Sequence, residues 1–124
     1  MRIESDKIGE MRIGDKTPYG IQTARAAENF ALGYKRTSLR LIYAITTVKK
    51  AAALTYRKLG AGKEEIYEAI CKACDRILDG QADDAFVVDA LQGGAGTSTN
   101  MNVNEVVANL ALEELGYEYG RYDI

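Results

Sequence analysis

The segment QGGAGTSTNMNVNEVVAN, at Gln92–Asn109, is the most informative part of this chain. Three of its first five residues are glycines, which suits a tight turn that other residues would adopt only under strain. Three hydroxyl residues follow at positions 97–99, then three asparagines, and from Val103 the apolar residues have helical spacing. Because the N–H groups that begin a helix attract anions, this pattern predicts a loop that holds a phosphate or a carboxylate.

Two nucleotide-binding motifs fit the glycine loop poorly. A P-loop requires Lys after its last glycine, whereas Thr97 follows Gly96. A dinucleotide-binding loop requires a third glycine where Thr99 stands. A flexible connector with an asparagine cap would explain the glycines, but not the clustered hydroxyls and amides. The residues alone leave an anion site and a connector both open.

The composition indicates one globular domain. The chain has 124 residues, of which 47% are hydrophobic, and a net charge of −2. This balanced charge argues against nucleic acid or an acidic membrane as partner, and no apolar run is long enough for a membrane span. The absence of histidine excludes the commonest catalytic triads. Two cysteines and no signal-peptide pattern at Met1 predict a cytoplasmic protein.

The apolar periodicity predicts a mainly α fold with a single domain over residues 1–124. Residues 1–37 carry glycines and little periodicity, which predicts an extended arm with turns and one helical turn around Thr23–Phe30. Residues 38–116 form the helical part and 117–124 a tail. The predicted helices are Ser38–Leu59, Lys63–Leu78 and Asn102–Leu115.

Two details of these helices are testable. The first should present one apolar face, made of Leu41, Ile45, Val48, Ala52 and Leu59. The last should begin with a capping box formed by Asn102 and Glu105.

Two further residue clusters favour structural explanations over chemistry. Cys71 and Cys74 share a helix face, but zinc needs about four ligands and no second pair exists, so we interpret both as buried core thiols. The acidic loop residues Asp83, Asp84 and Asp89 lack the regular spacing of a calcium loop. We therefore predict no metal site.

Several ordered blocks along the chain resemble the aspartase/fumarase superfamily of lyases. GGAGTSTNMNVNEVVANLALE, from Gly93, is similar to the first signature block of that superfamily. The resemblance covers practically the whole chain, and its other blocks are Arg2–Gly9, Tyr19–Phe30, Val48–Ala53 and Asp84–Asp89. It implies a small helical N-terminal lyase domain with an extended arm.

The residues of the loop resemble those of the aspartate ammonia-lyase branch. Fumarases usually carry Ser at the Ala95 position and Gln at the Ser98 position. Val87 and Leu110 depart from the usual Pro and Arg, which affects the subtype more than the superfamily. The resemblance implies reversible elimination of ammonia from L-aspartate to give fumarate, without a cofactor. A fumarase-type domain, a non-catalytic carboxylate-binding module and a helical interaction domain are the alternatives.

The resemblance also implies which residues meet a dicarboxylate substrate. Thr97 is the expected hydrogen-bonding group, with Ser98 and Asn100 as neighbours that shape the loop. The superfamily's mobile serine loop, which supplies the base, its neighbouring Lys and Asn, and its Thr-His pair have no counterpart here. We therefore expect no catalytic residue in this chain and no turnover by it alone. The full-length protein is expected to be a homotetramer with active sites between subunits.

Overall fold

Three long helices pack around one apolar core in the computed structural model, which describes residues 1–124. They are α2 (Leu39–Lys58), α3 (Glu64–Leu78) and α4 (Thr97–Glu114), and α3 packs against both of the others. A shorter helix, α1 (Ile21–Asn29), lies against α4. A single 3₁₀ turn, Asp83–Ala85, interrupts the segment between α3 and α4. The prediction of a mainly α fold is confirmed.

The core is formed where α4 meets α2 and α3. Val103 and Val106 of α4 are fully buried, and Phe86 reaches the same core from the segment before the glycine loop. The other fully buried apolar side chains of this core belong to α2 and α3: Ile42, Ala73, Cys74 and Ile77. Because α4 runs through the middle of the domain, its first turn is held in place by the packing of the turns that follow.

The N-terminal arm contains a β-hairpin that the sequence analysis missed. Strands β1 (Arg2–Ser5) and β2 (Glu10–Ile13) pair antiparallel, with Arg2 opposite Ile13. The hydrophobic pattern hides this hairpin, because Ile3 is 61% exposed while the charged Glu4 is only 7% exposed. The single helical turn expected around Thr23–Phe30 is the nine-residue helix α1.

The apolar face predicted for the second helix does not form the core. The buried residues of α2 are Ile42, Thr46 and Ala53, on a neighbouring face. Of the predicted face, Leu41, Val48 and Leu59 are exposed and only Ile45 is half-buried. The seven-residue regularity of Leu41–Leu59 is real, but the domain packs α2 through a different stripe.

The remaining sequence predictions are partly corrected. Cys74 is fully buried, and burial raises the pKa of its thiol to about 11, whereas Cys71 is only half-buried.

The tail is not simply an exposed end, because the Gly120 N–H donates to Asn109 Oδ1 and Asn109 Nδ2 donates to Tyr122 Oη. No helix combines the length and the apolar composition that a membrane span requires.

Candidate functional site

The glycine loop, Gly93–Gly96, directly precedes α4. Two of its residues have the left-handed backbone conformation. Gly94 has φ +87° and Gly96 has φ +85°, and a Cβ on either would meet no atom within 4 Å. These glycines are therefore required by backbone conformation and not by lack of space. Gly96 is the N-cap of α4 and provides no side-chain oxygen to cap the helix.

The first turn of α4 leaves hydrogen-bonding groups free. The backbone N–H groups and hydroxyls of Thr97 and Ser98 have no hydrogen-bond partner in the chain. Thr97 is exposed, and Ser98 and Asn100 are half-buried. The Asn100 side chain also lacks an internal partner, although its N–H donates to Gly96 O. All three predicted site residues therefore lie together at the open end of this helix.

The side chain of Gln92 fixes the loop by hydrogen bonds to Asp89 and Thr99. The Gln92 side chain accepts from the Thr99 N–H at 3.0 Å and donates from Nε2 to Thr99 Oγ1 at 2.7 Å. Its Nε2 also donates to the Asp89 carbonyl at 2.9 Å. The third N–H of α4 is thus taken by the protein, while the first two remain open. Sequence reasoning did not identify Gln92, because a polar residue before a glycine run carries no distinctive signal.

The polar residues of the motif fall into two groups. Thr99 and Asn102 are buried and serve the domain itself: the Val87 N–H donates to Asn102 Oδ1 at 3.1 Å, and Asn102 Nδ2 donates to Ala85 O at 3.0 Å. This also shows that the predicted capping box is wrong, because α4 begins at Thr97 and both Asn102 and Glu105 lie inside it. The side chains of Thr97, Ser98 and Asn100 remain free to meet a ligand, and Asn104, one turn further along α4, makes only a 3.7 Å contact from Nδ2 to Met101 Sδ.

A depression of about 590 Å³ lies beside Ser98. Its polar lining includes Gln22, Arg25, Glu28 and Asn29 of α1. Arg25 is engaged by Asp6, with nitrogen–oxygen distances of 2.7 Å and 2.9 Å, and this pairing lowers the pKa of Asp6 to about 2. Space for a small molecule therefore exists next to the start of α4, but its one cation is already paired with Asp6 and the Glu28 carboxylate also lines it.

Two glutamates close the start of α1 nearby. Glu105 accepts hydrogen bonds from the N–H groups of Gly20, Gln22 and Thr23 and from the Thr23 hydroxyl, at 2.6–3.0 Å. The Ile21 N–H donates to Glu4 Oε2 at 2.8 Å. The first turn of α1 is therefore satisfied by the chain's own carboxylates. Sequence reasoning missed this role, since Glu105 lies more than 80 residues from its partners and Glu4 lies 17 residues from Ile21.

The arrangement at α4 is suited to binding and orienting a carboxylate. Two free N–H groups, two hydroxyls and the positive end of the helix dipole converge there. No group of His, Cys, Asp and Glu residues is placed to hold a metal ion.

The chain is similar to known lyases over nearly its whole length. A family model described as "Lyase" matches residues 9–120. Aspartate ammonia-lyases from Helicobacter pylori strain J99 and Bacillus subtilis strain 168 are 52% and 48% identical, each over 98% of this chain. The chain spans only 26% of the length of each of these relatives.

Solved structures give the same result. The "fumarate lyase:delta crystallin" of Brucella melitensis superposes with a TM-score of 0.95 at 50% identity, over 99% of this chain and 28% of that one. The class II fumarase of Schistosoma mansoni gives 0.91 at 36% identity, over 97% of this chain and 26% of that one. This chain belongs to the lyase family, within the aspartase/fumarase superfamily.

Proposed function

We propose that this chain supplies the carboxylate-binding wall of an aspartate ammonia-lyase active site. The observation that carries the proposal is the open first turn of α4, where Thr97 and Ser98 offer two N–H groups and two hydroxyls that nothing in the chain uses. Hydrogen bonds from such groups to an ionised carboxylate are stronger than neutral ones. A small dicarboxylate is the matching substrate class.

In the proposed reaction, a base removes a Cβ proton from L-aspartate, and the resulting aci-carboxylate expels ammonia to leave fumarate. Negative charge spreads onto a substrate carboxylate before the C–N bond breaks. Donors that are already positioned stabilise that charge without reorganising, which is often the largest contribution to such catalysis. Thr97, Ser98 and the start of α4 would perform this task, with Asn100 shaping the turn. The base belongs to polypeptide outside this chain.

The aspartate substrate is supported by the relatives. The aspartate ammonia-lyases are 46–52% identical to this chain, whereas the class II fumarase is 36% identical. The TM-score of 0.91 with that fumarase makes hydration of fumarate to malate the second candidate. We further propose a homotetrameric full-length enzyme with sites between subunits, and a cytoplasmic location compatible with two free thiols.

A chimeric enzyme tests the proposal. This chain would replace the matching region of the Helicobacter pylori aspartate ammonia-lyase, and ammonia release from L-aspartate would be measured. We expect Thr97→Val to lower kcat/KM by about 100-fold, the scale of losing one donor to a developing anion. Thr47→Val, an exposed threonine on α2, is the matched control and should retain activity.

Each outcome of the chimera experiment has a defined meaning. Equal activity of the Thr97→Val and Thr47→Val enzymes would contradict the role of Thr97. Malate formation from fumarate in place of ammonia release would favour the fumarase-type function. The 124-residue chain alone should produce no fumarate from aspartate, and turnover by it would overturn the assignment of the base to other polypeptide.

A further inference from the structure

Three hydrogen bonds hold the side-chain amide of Gln92 in one orientation. Its Oε1 accepts from the Thr99 N–H, while Nε2 donates to the Asp89 carbonyl and to Thr99 Oγ1. Turning the amide over would place Nε2 against the donating N–H and Oε1 against the Asp89 carbonyl oxygen. A carboxylate in the same place has no hydrogen to give to that carbonyl. The position therefore fits a neutral amide.

The amide is anchored to backbone that lies outside α4. Residues 88–90 pair with residues 35–37 through two backbone hydrogen bonds of 2.7 Å and 3.1 Å. The Asp89 carboxylate, in a residue only 9% exposed, accepts from the N–H groups of Tyr34 at 3.0 Å and Leu91 at 2.8 Å. The carbonyl that receives the amide is thus fixed on both sides.

Thr99 is held at its hydroxyl as well as at its N–H. The residue is 5% exposed, and its Oγ1 lies 3.4 Å from Thr37 Oγ1, which in turn donates to the Val88 carbonyl at 3.3 Å. The third residue of α4 has therefore no group left for a ligand. An anion that approaches this helix start finds only the N–H groups of Thr97 and Ser98.

The anchor of α4 is neutral, whereas that of α1 carries a charge. At α1 the Glu105 carboxylate accepts three backbone N–H groups and compensates the positive end of the helix. At α4 the Gln92 amide accepts one N–H and brings no negative charge. Because two carboxylates at one helix start would repel each other, only the neutral anchor leaves the attraction available to a ligand.

We propose that Gln92 is a positioning residue of the carboxylate site, and that its neutrality keeps the start of α4 open to an anion. It acts through Thr99: it withholds the third N–H, confines the carboxylate to Thr97 and Ser98, and leaves the helix start uncompensated. The inference rests on the proposed function, because it takes the carboxylate site as given. It adds that the charge at position 92 controls binding.

The experiment places the same substitutions at two glutamines of the 124-residue chain. Gln92→Glu and Gln92→Met change the anchor, and Gln81→Glu and Gln81→Met are the matched controls at an exposed glutamine beyond the end of α3. Each variant is titrated with succinate and followed by its backbone amide signals in ¹H–¹⁵N NMR spectra.

The two substitutions at position 92 should have different signatures. We expect Gln92→Glu to raise the Kd for succinate at least about tenfold, because it sets a like charge beside the ligand, and Gln81→Glu to leave it unchanged. Gln92→Met should raise the Kd less, but the Thr99 amide should join the responding signals, because its N–H is released. A purely structural role of Gln92 would not bring a third amide into the site.

A second readout covers a variant that does not fold. Circular dichroism identifies such a variant, and Gln92→Glu retains an acceptor for the Thr99 N–H if Gln92→Met unfolds. In the chimeric enzyme described above, Gln92→Glu should lower kcat/KM for L-aspartate at least about tenfold relative to Gln81→Glu.

The outcomes separate this inference from the proposed function. If the unmodified chain binds succinate and Gln92→Glu binds it as tightly as Gln81→Glu, the role of the neutral anchor is overturned and the proposed function stands. A silent Thr99 amide in folded Gln92→Met would overturn the confinement to Thr97 and Ser98. If the Thr97 and Ser98 amides of the unmodified chain do not respond, both the proposed function and this inference fail.

Discussion

The first turns of α1 and α4 differ in what meets their backbone N–H groups. At α1, the N–H groups of residues 20–23 are all accepted by the carboxylates of Glu4 and Glu105. At α4, only the Thr99 N–H is accepted, by Gln92, and those of Thr97 and Ser98 remain open. The same attraction between a helix start and a carboxylate is thus satisfied internally at one helix and left available at the other.

The contrast extends to the glycines that precede the two helices. A Cβ on Gly20 would lie 2.6 Å from Tyr122 Oη, 2.7 Å from Glu4 Oε2 and 2.8 Å from Glu105 Oε1. A Cβ on Gly96 would meet nothing within 4 Å, but that residue has φ +85°. Gly20 is therefore required for space and Gly96 for backbone conformation. The side chains that accept the N–H groups of α1 leave no room for a Cβ at Gly20, whereas the start of α4 is accessible.

The largest expected effect is the loss of the carboxylate that closes α1. Glu105→Ala removes the acceptor of four hydrogen bonds and leaves buried N–H groups unsatisfied. We expect the free energy of unfolding to fall by about 3 kcal/mol, measured by urea denaturation. Glu113→Ala, on the exposed surface of the same helix, should cost less than about 0.5 kcal/mol. Similar costs for the two variants would show that α1 is not closed by Glu105.

Crowding at Gly20 gives the next largest effect. Gly20→Ala forces a methyl group against both closing carboxylates, and we expect a cost of about 2 kcal/mol from overpacking. The matched control is Gly93→Ala, where φ is not positive and the nearest atoms, on Phe30, are 3.5 Å away. A thermal melt of both variants checks this. If Gly20→Ala left the melting temperature unchanged, the start of α1 would have space for a Cβ at this position.

Substitution of Gly96 should lower the free energy of unfolding by less than substitution of Gly20. Gly96→Ala places a Cβ on a left-handed residue with no steric neighbour, which costs about 1 kcal/mol. Gly96→Asn should cost less than Gly96→Ala, because asparagine tolerates this conformation better. Urea denaturation of the two variants checks the order. The reverse order would indicate that the open start of α4 depends on contacts and not on backbone conformation.

The smallest effect concerns the ion pair that ties the hairpin to α1. Arg25 lowers the pKa of Asp6 to about 2, below its ordinary value of 3.8. The ionised carboxylate therefore adds stability that is present above about pH 4 and lost as pH falls through about 2. Asp6→Asn should lower the urea midpoint at pH 6 and have a much smaller effect at pH 2, where about half of the Asp6 carboxyl groups are protonated. An equal effect at both pH values would contradict the pairing.

Helix boundaries were predictable where glycines set them. The predicted helices Ser38–Leu59 and Lys63–Leu78 agree with α2 and α3 to within one residue at each end. The start of α4 was predicted five residues too late, because Thr97, Ser98 and Thr99 resemble a loop in composition. Glycine marks the end of a helix in the local sequence. A polar first turn is instead stabilised by contacts such as that of Gln92, which the local sequence does not reveal.

Long-range contacts were not predictable from local patterns. The carboxylates that close α1 come from β1 and from the middle of α4, and the buried Glu4 lies in a strand whose apolar Ile3 is exposed. The face of α2 was misassigned because a regular apolar stripe normally marks the core, and here only Ile45 of that stripe packs against it. The motif placed Thr97, Ser98 and Asn100 in the loop before the helix, whereas the structure places them in its first turn. Their contact with a substrate stays a prediction.

The most direct test is a titration of the 124-residue chain with succinate, followed by the backbone amide signals in ¹H–¹⁵N NMR spectra. We expect the Thr97 and Ser98 amides to shift and to saturate with a Kd on the order of millimolar, since one wall supplies only part of a site. The amides of Gly20–Thr23, already bonded to Glu4 and Glu105, should not move. Shifts confined to α1, or none at either helix, would contradict an open carboxylate site at the start of α4.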